Sequence, residues 1–163
     1  MSQLLDSLHD QPVKSFATGE SVITQGNSTG SLYILIDGVA EVTKDGVAVT
    51  RTNEPGAIFG DLSALLGVPH TAEVRAAAPS RFHVVADARD FLERHPAMTL
   101  HLCRLLARRL DALNQYLVNL KHQFAGHDHL GMVDGMIDLL MLRQPRERVA
   151  PRASTLRDPN VAD

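Results

Sequence analysis

The hydrophobic pattern changes period once, near residue 88, and that single change limits the chain to a β domain followed by helices. From Val13 to Ala86, short apolar runs are interrupted by turn formers. SLYILID (31–37), VAEVTK (39–44), VAVTR (47–51), TAEVRA (71–76) and RFHVVA (81–86) are rich in Val, Ile, Thr, Phe and Tyr with partial alternation, which predicts strands. Gly19-Glu20, Gly26-Asn27, Asp37-Gly38, Asp45-Gly46 and Pro55-Gly56 supply the turns, and Asp45-Gly46 predicts a tight hairpin. Because no helix separates these strands before residue 61, an antiparallel β-roll or jelly roll is favoured over a parallel sheet.

From Ala88 onward the repeat is helical. ARDFLERH (88–95) reads as one short helix, and Pro96 stands where the next could begin, since proline is tolerated in a first turn. The segment up to about Phe124 contains neither Gly nor Pro. Within it Thr99, Cys103, Leu106, Leu110, Leu113, Leu117, Leu120 and Phe124 alternate steps of four and three, the spacing of an a/d seam. Leu100, Leu102 and Leu105 widen the apolar surface at the near end, predicting that this end packs on the roll and that residues 99–124 form a homodimer seam. LGMVDGMIDLLMLR (130–143) reads as one further amphipathic helix, and residues 144–163 as a Pro/Arg-rich polar tail. The predicted fold class is mixed β plus α. An N-terminal helix and β-roll occupy 1–95, a long helix and its successor 96–143, and the tail 144–163.

Composition restricts function. Sixteen basic against 19 acidic side chains give a net charge of −3, so no overall basic field attracts nucleic acid or anionic lipid, and any anion must be held locally. No apolar stretch approaches the roughly 20 residues of a membrane span, and MSQLLDSLHD lacks the basic start and apolar centre of a signal peptide. A cytoplasmic location is expected. The single Cys103 sits in an apolar helical context and is expected to be a buried thiol. No pairing of nucleophile and base is visible, so no enzyme activity is expected and no cofactor is implied. Arg104, Arg108 and Arg109 read as a solvated helix face. His122, His127, Asp128 and His129 could clip a metal, although an exposed polar turn explains them as well.

FGDLSALLGVPHTAEV (59–74) carries the chemistry. Gly60 permits close backbone approach, and the amides of Leu62 and Ser63 open a short helix where the dipole favours negative charge. Asp61 and Gly67 are also good caps for such a helix without any ligand. Together with GESVITQGNSTGSLYILIDGVAEV (19–42), PGAIFGDLSALLGVPHTAEV (55–74) and ARRL (107–110), this stretch resembles the cyclic nucleotide-binding domain family over about residues 13–143. The resemblance makes 59–74 a phosphate-binding cassette and implies cAMP or cGMP as candidate ligand. It further implies that Asp61 accepts from the ribose 2′-hydroxyl, that Thr71 offers its amide and hydroxyl to the phosphate, that Leu62 lines the sugar, and that Asn114 touches the base.

Two anchors depart from the family pattern of Gly-Glu and Pro-Arg. Asp61 is one methylene shorter than Glu. His70 replaces the arginine, and with an ordinary pKa of about 6.5 it is mostly neutral at pH 7 and lacks the planar fork that holds two phosphate oxygens. Weakened binding is therefore expected. The alternatives are a ligand-free dimerisation or docking module on the same fold, and a metal-dependent jelly-roll enzyme. In the family's transcription factors a winged DNA-binding domain follows the helix matching 130–143, whereas only a short tail remains here, so DNA binding is not expected.

Overall fold

Two antiparallel four-stranded sheets, in the orders β1-β8-β3-β6 and β2-β7-β4-β5, form the β-roll in the computed structural model, which describes residues 8–123. The strands are β1 (Val13–Phe16), β2 (Ser21–Ile23), β3 (Leu32–Asp37), β4 (Ala40–Lys44), β5 (Val47–Thr52), β6 (Ile58–Phe59), β7 (Glu73–Ala76) and β8 (Ser80–Val85). Helix α1 (Asp61–Leu66) interrupts them between β6 and β7, and α2 (Ala88–Arg94) and α3 (Pro96–Gln123) follow. The mixed class and the antiparallel roll are as the sequence predicts. The chain divides into two compact units at Leu105/Leu106, so α3 belongs in part to each.

The first unit is built on alternation. In β8, Ser80, Phe82 and Val84 point inward while Arg81 is exposed. Phe82 is fully buried and meets Phe16 and Phe59 edge-on, with ring centroids 5.5 and 6.1 Å away. Val22, Ile23, Leu35, Ala40, Val74 and Ala76 complete this cluster from both sheets. Burying such a ring is worth about 1.5 to 3 kcal/mol. The Asp45-Gly46 hairpin forms as its dipeptide demands: Lys44 pairs with Val47, and both turn residues have positive φ, 51° and 78°. Strands β1, β2 and β6 are too short for any periodicity to single them out.

Two expectations for the helices change. Within the first unit α3 buries Met98 and Leu102, one position round from Thr99 and Cys103; Leu100 is exposed, and Cys103 is an exposed thiol rather than a buried one. Thr99 is diverted to the α2–α3 joint, where its hydroxyl donates to the Leu92 carbonyl at 2.5 Å. In the second unit Leu110, Leu113 and Tyr116 are exposed on α3 and Leu117 is buried. The N-terminal helix, Phe124, the 127–129 histidine pair, the helix at 130–143 and the tail lie outside the described residues.

Candidate functional site

Strand β6 delivers the chain to Gly60, whose backbone takes φ 85° and ψ 0°. A Cβ there would come within 2.5 Å of the Ser31 carbonyl oxygen, so both the dihedral and the space require glycine. Gly60, not Asp61, occupies the N-cap, because its carbonyl accepts the first helical bond from the Ala64 amide at 3.0 Å. The amides of Leu62 and Ser63 stand ahead of that bond, where a helix offers no internal acceptor. Asp61 lies one residue inside the helix, buried, with its charge on the favoured end of the dipole. Ser63 is also buried; its hydroxyl donates to the Val68 carbonyl at 2.6 Å and its own carbonyl accepts from the Gly67 amide, which closes the helix in the left-handed C-cap expected for that glycine. Leu62 is exposed.

The return limb brings His70 back beneath this turn. Its amide donates to the Asn27 carbonyl and its carbonyl accepts from the Gly26 amide, both at 2.8 Å. Its Nε2 lies 2.7 Å from the Thr29 hydroxyl, and its Cε1 stands 3.5 Å from the point a Gly60 Cβ would occupy. The side chain is 4% exposed, and burial pushes the imidazole pKa below its ordinary value, so the ring is neutral at pH 7. Thr71 follows, half-buried.

The 26–31 loop thereby becomes part of the site, which the sequence reading missed. Thr29 touches His70, the Ser31 hydroxyl donates to the Ala86 carbonyl at 3.1 Å, and the Gly30 carbonyl accepts from the Ala88 amide at 3.0 Å. One short loop thus bonds to the end of the cassette and to the start of α2. Its only trace in the sequence is the run of small polar residues NSTGS. Gly60, Asp61, Leu62, Ser63, His70 and Thr71 all belong to the first unit, whereas Asn114 belongs to the second, half-buried with its Oδ1 enclosed and unpartnered among the described residues. Among the described residues no three His, Cys, Asp or Glu side chains group to hold a metal ion, and no helix is long and apolar enough to cross a membrane.

Comparison with known proteins identifies this arrangement. The profile of the cyclic nucleotide-binding domain family matches residues 13–94, the whole roll and cassette through α2. The chain belongs to that family. Residues 13–94 are thus a cyclic nucleotide-binding domain by family. A cAMP-dependent protein kinase regulatory subunit of Yarrowia lipolytica is 38% identical over 76 residues, covering 47% of this chain but only 19% of that subunit. The catabolite activator protein of Thermus thermophilus shares the fold with a TM-score of 0.61 at 20% identity, over 86% of this chain and 81% of that one. The regulatory domain of Toxoplasma gondii PKA, solved with cAMP, superimposes with a TM-score of 0.54 at 20% identity, over 65% of this chain and 48% of that one.

Proposed function

We propose that this chain binds cAMP or cGMP in the 59–74 cassette and reports occupancy through its C-terminal helices. The observation that carries the reading is that the family match contains the entire cassette, folded here around a left-handed glycine with Asp61 and Ser63 buried in the turn and His70 buried on the return limb. In this reading the amides of Leu62 and Ser63 and the amide and hydroxyl of Thr71 receive the phosphate, Asp61 accepts from the ribose 2′-hydroxyl and Leu62 covers the sugar. His70 gives one hydrogen bond where arginine would give a charged pair, so affinity falls about one to two orders of magnitude below that of an arginine cassette. Ligand contacts then favour one helix orientation over another.

The module acts in the cytoplasm as a homodimer through residues 99–124, supported by the exposed Leu110, Leu113 and Tyr116 on α3. By itself it does not bind DNA, a view supported by its net charge of −3, and it acts as a sensor rather than as an enzyme. Calorimetric titration with cAMP and with cGMP tests the proposal. Saturable binding of either supports it; no heat from either up to about millimolar ligand, an affinity of roughly −4 kcal/mol, leaves the ligand-free docking module.

A further inference from the structure

Gln25 and Asp45, 20 residues apart, clasp each other across two turns. The first turn, Thr24 to Asn27, closes through the Asn27 amide on the Thr24 carbonyl at 3.2 Å, with Gly26 at φ 87° where a type II turn requires a left-handed residue. On one side this turn holds the return limb of the cassette: the Gly26 amide donates to the His70 carbonyl and the His70 amide donates to the Asn27 carbonyl, both at 2.8 Å. On the other side the half-buried Gln25 side chain reaches the tip of the β4–β5 hairpin. Its Nε2 donates to the Asp45 carboxylate at 2.6 Å and its Oε1 accepts from the Asp45 amide at 3.0 Å. These partners settle which way the Gln25 amide faces, since an ionised carboxylate only accepts and a backbone amide only donates. Asp45 is the only non-glycine residue with positive φ among the described residues, and the clasp engages both its side chain and its amide in that conformation. Both bonds lie at the surface, where water competes, so together they govern a few-fold change rather than orders of magnitude.

We propose that Gln25 is a positioning residue for nucleotide binding: by clamping the 24–27 turn to the hairpin tip it holds the His70 backbone, and with it the return limb of the cassette, in its binding position. The inference rests on the cassette as the nucleotide site. It adds the β4–β5 hairpin as a support of that site, although neither Gln25 nor Asp45 lies in the cassette. Gln25 acts through the loop backbone and touches no ligand.

The test reverses donor and acceptor in the clasp, on the whole chain. Gln25→Glu sets a carboxylate against the Asp45 carboxylate and opens the clasp. Adding Asp45→Asn rebuilds it, because the new side-chain amide can donate to the new carboxylate and asparagine suits the left-handed turn position as aspartate does. Amide hydrogen exchange without ligand reads the hold on Gly26 and His70, with the Leu35 amide, bonded to the Ala57 carbonyl at 2.9 Å, as the control. Calorimetry with cAMP and cGMP reads affinity. In Gln25→Glu the Gly26 and His70 amides should exchange about three- to tenfold faster with Leu35 unchanged, affinity should fall about three- to tenfold, and the double variant should recover both. Unchanged exchange or unchanged affinity in Gln25→Glu, a loss that Asp45→Asn fails to restore, or an acceleration that Leu35 shares equally overturns the role of Gln25 and leaves the cassette reading intact. A wild type that binds neither nucleotide overturns both.

Discussion

Gly38 and Gly60 both hold a left-handed backbone hard against a neighbouring segment, but the Gly38 turn is closed by a side-chain hydroxyl whereas the Gly60 turn opens a helix. At Gly38, φ is 100°, and a Cβ would lie 2.2 Å from the Ser80 hydroxyl oxygen and 2.6 Å from the Pro79 carbonyl oxygen. The Ser80 hydroxyl accepts from the Val39 amide at 2.9 Å and donates to the Ala78 carbonyl at 2.7 Å, and the Ala77 amide donates to the Val39 carbonyl. At Gly60 the amides of Leu62 and Ser63 precede the first helical bond, and Asp61 and Ser63 are buried beside them. A turn that serves only the fold satisfies its donors within the protein. A turn that opens a helix instead leaves its first amides to side chains, water or a ligand.

Breaking the structural member of the pair should give the largest effect. Gly38→Ala places a Cβ against two backbone atoms of the Pro79-Ser80 segment as well as the Ser80 side chain, in a conformation that already costs a side chain energy. A loss of about 3 kcal/mol or more is expected as a lowered urea midpoint. Gly60→Ala meets one backbone oxygen at under 3 Å, the other neighbours being at ordinary contact distance. It should cost less, about 2 kcal/mol, while abolishing nucleotide binding in calorimetry. If Gly60→Ala proved the more destabilising and left binding unchanged, the contrast between the two turns would be wrong.

The two turns were unequally legible. Asp37-Gly38 and Asp45-Gly46 announce themselves because glycine beside aspartate between apolar runs specifies a left-handed turn locally. Gly60 beside Asp61 was readable for the same reason, and Gly67 because it ends a short apolar helical run, although the N-cap proved to be Gly60 rather than Asp61. Thr29 was not. Its partner is 41 residues away, and no local propensity encodes a contact set by sheet register. The rotation of α3 was hidden too, because Met98 and Leu102 offer the same i, i+4 spacing as Thr99 and Cys103, and only packing decides which pair turns inward. The short strands β2 and β6 hold three and two residues, below the length at which alternation carries information.

Restoring a cation sharpens the contrast from the other side. His70→Arg supplies a permanent charge and a two-pronged donor to the cassette and gives up the Thr29 bond. Affinity for the cyclic nucleotide should rise about tenfold or more, equivalent to roughly 1.4 kcal/mol, in the same calorimetric titration. An unchanged affinity would mean that the His70 position does not meet the phosphate.

The smallest expected effect is the pH dependence of the wild type, and its two halves run in opposite directions. Burial lowers the His70 pKa in the folded protein, so on acidification the unfolded chain takes up its proton first. The stability contribution is fully present above the ordinary value of about 6.5 and is lost as pH falls through the lower folded value. Ligand binding has the reverse sign. A phosphodiester keeps its charge throughout this range and favours the imidazolium, so binding draws in a proton and affinity should rise as pH falls from about 8 to 6. Acid thus tightens the ligand while loosening the free fold, and a bound nucleotide should narrow the acid loss of stability. His70→Arg should show neither trend, and Ser80→Ala, placed at the Gly38 turn, should retain both despite its lower stability. Thermal melts from pH 8 to 5 with and without nucleotide separate the two signs. A wild type whose affinity is flat across the range would place the imidazole away from the phosphate and make the Thr29–His70 bond a clasp of the fold, the same kind of closed turn as the one at Gly38.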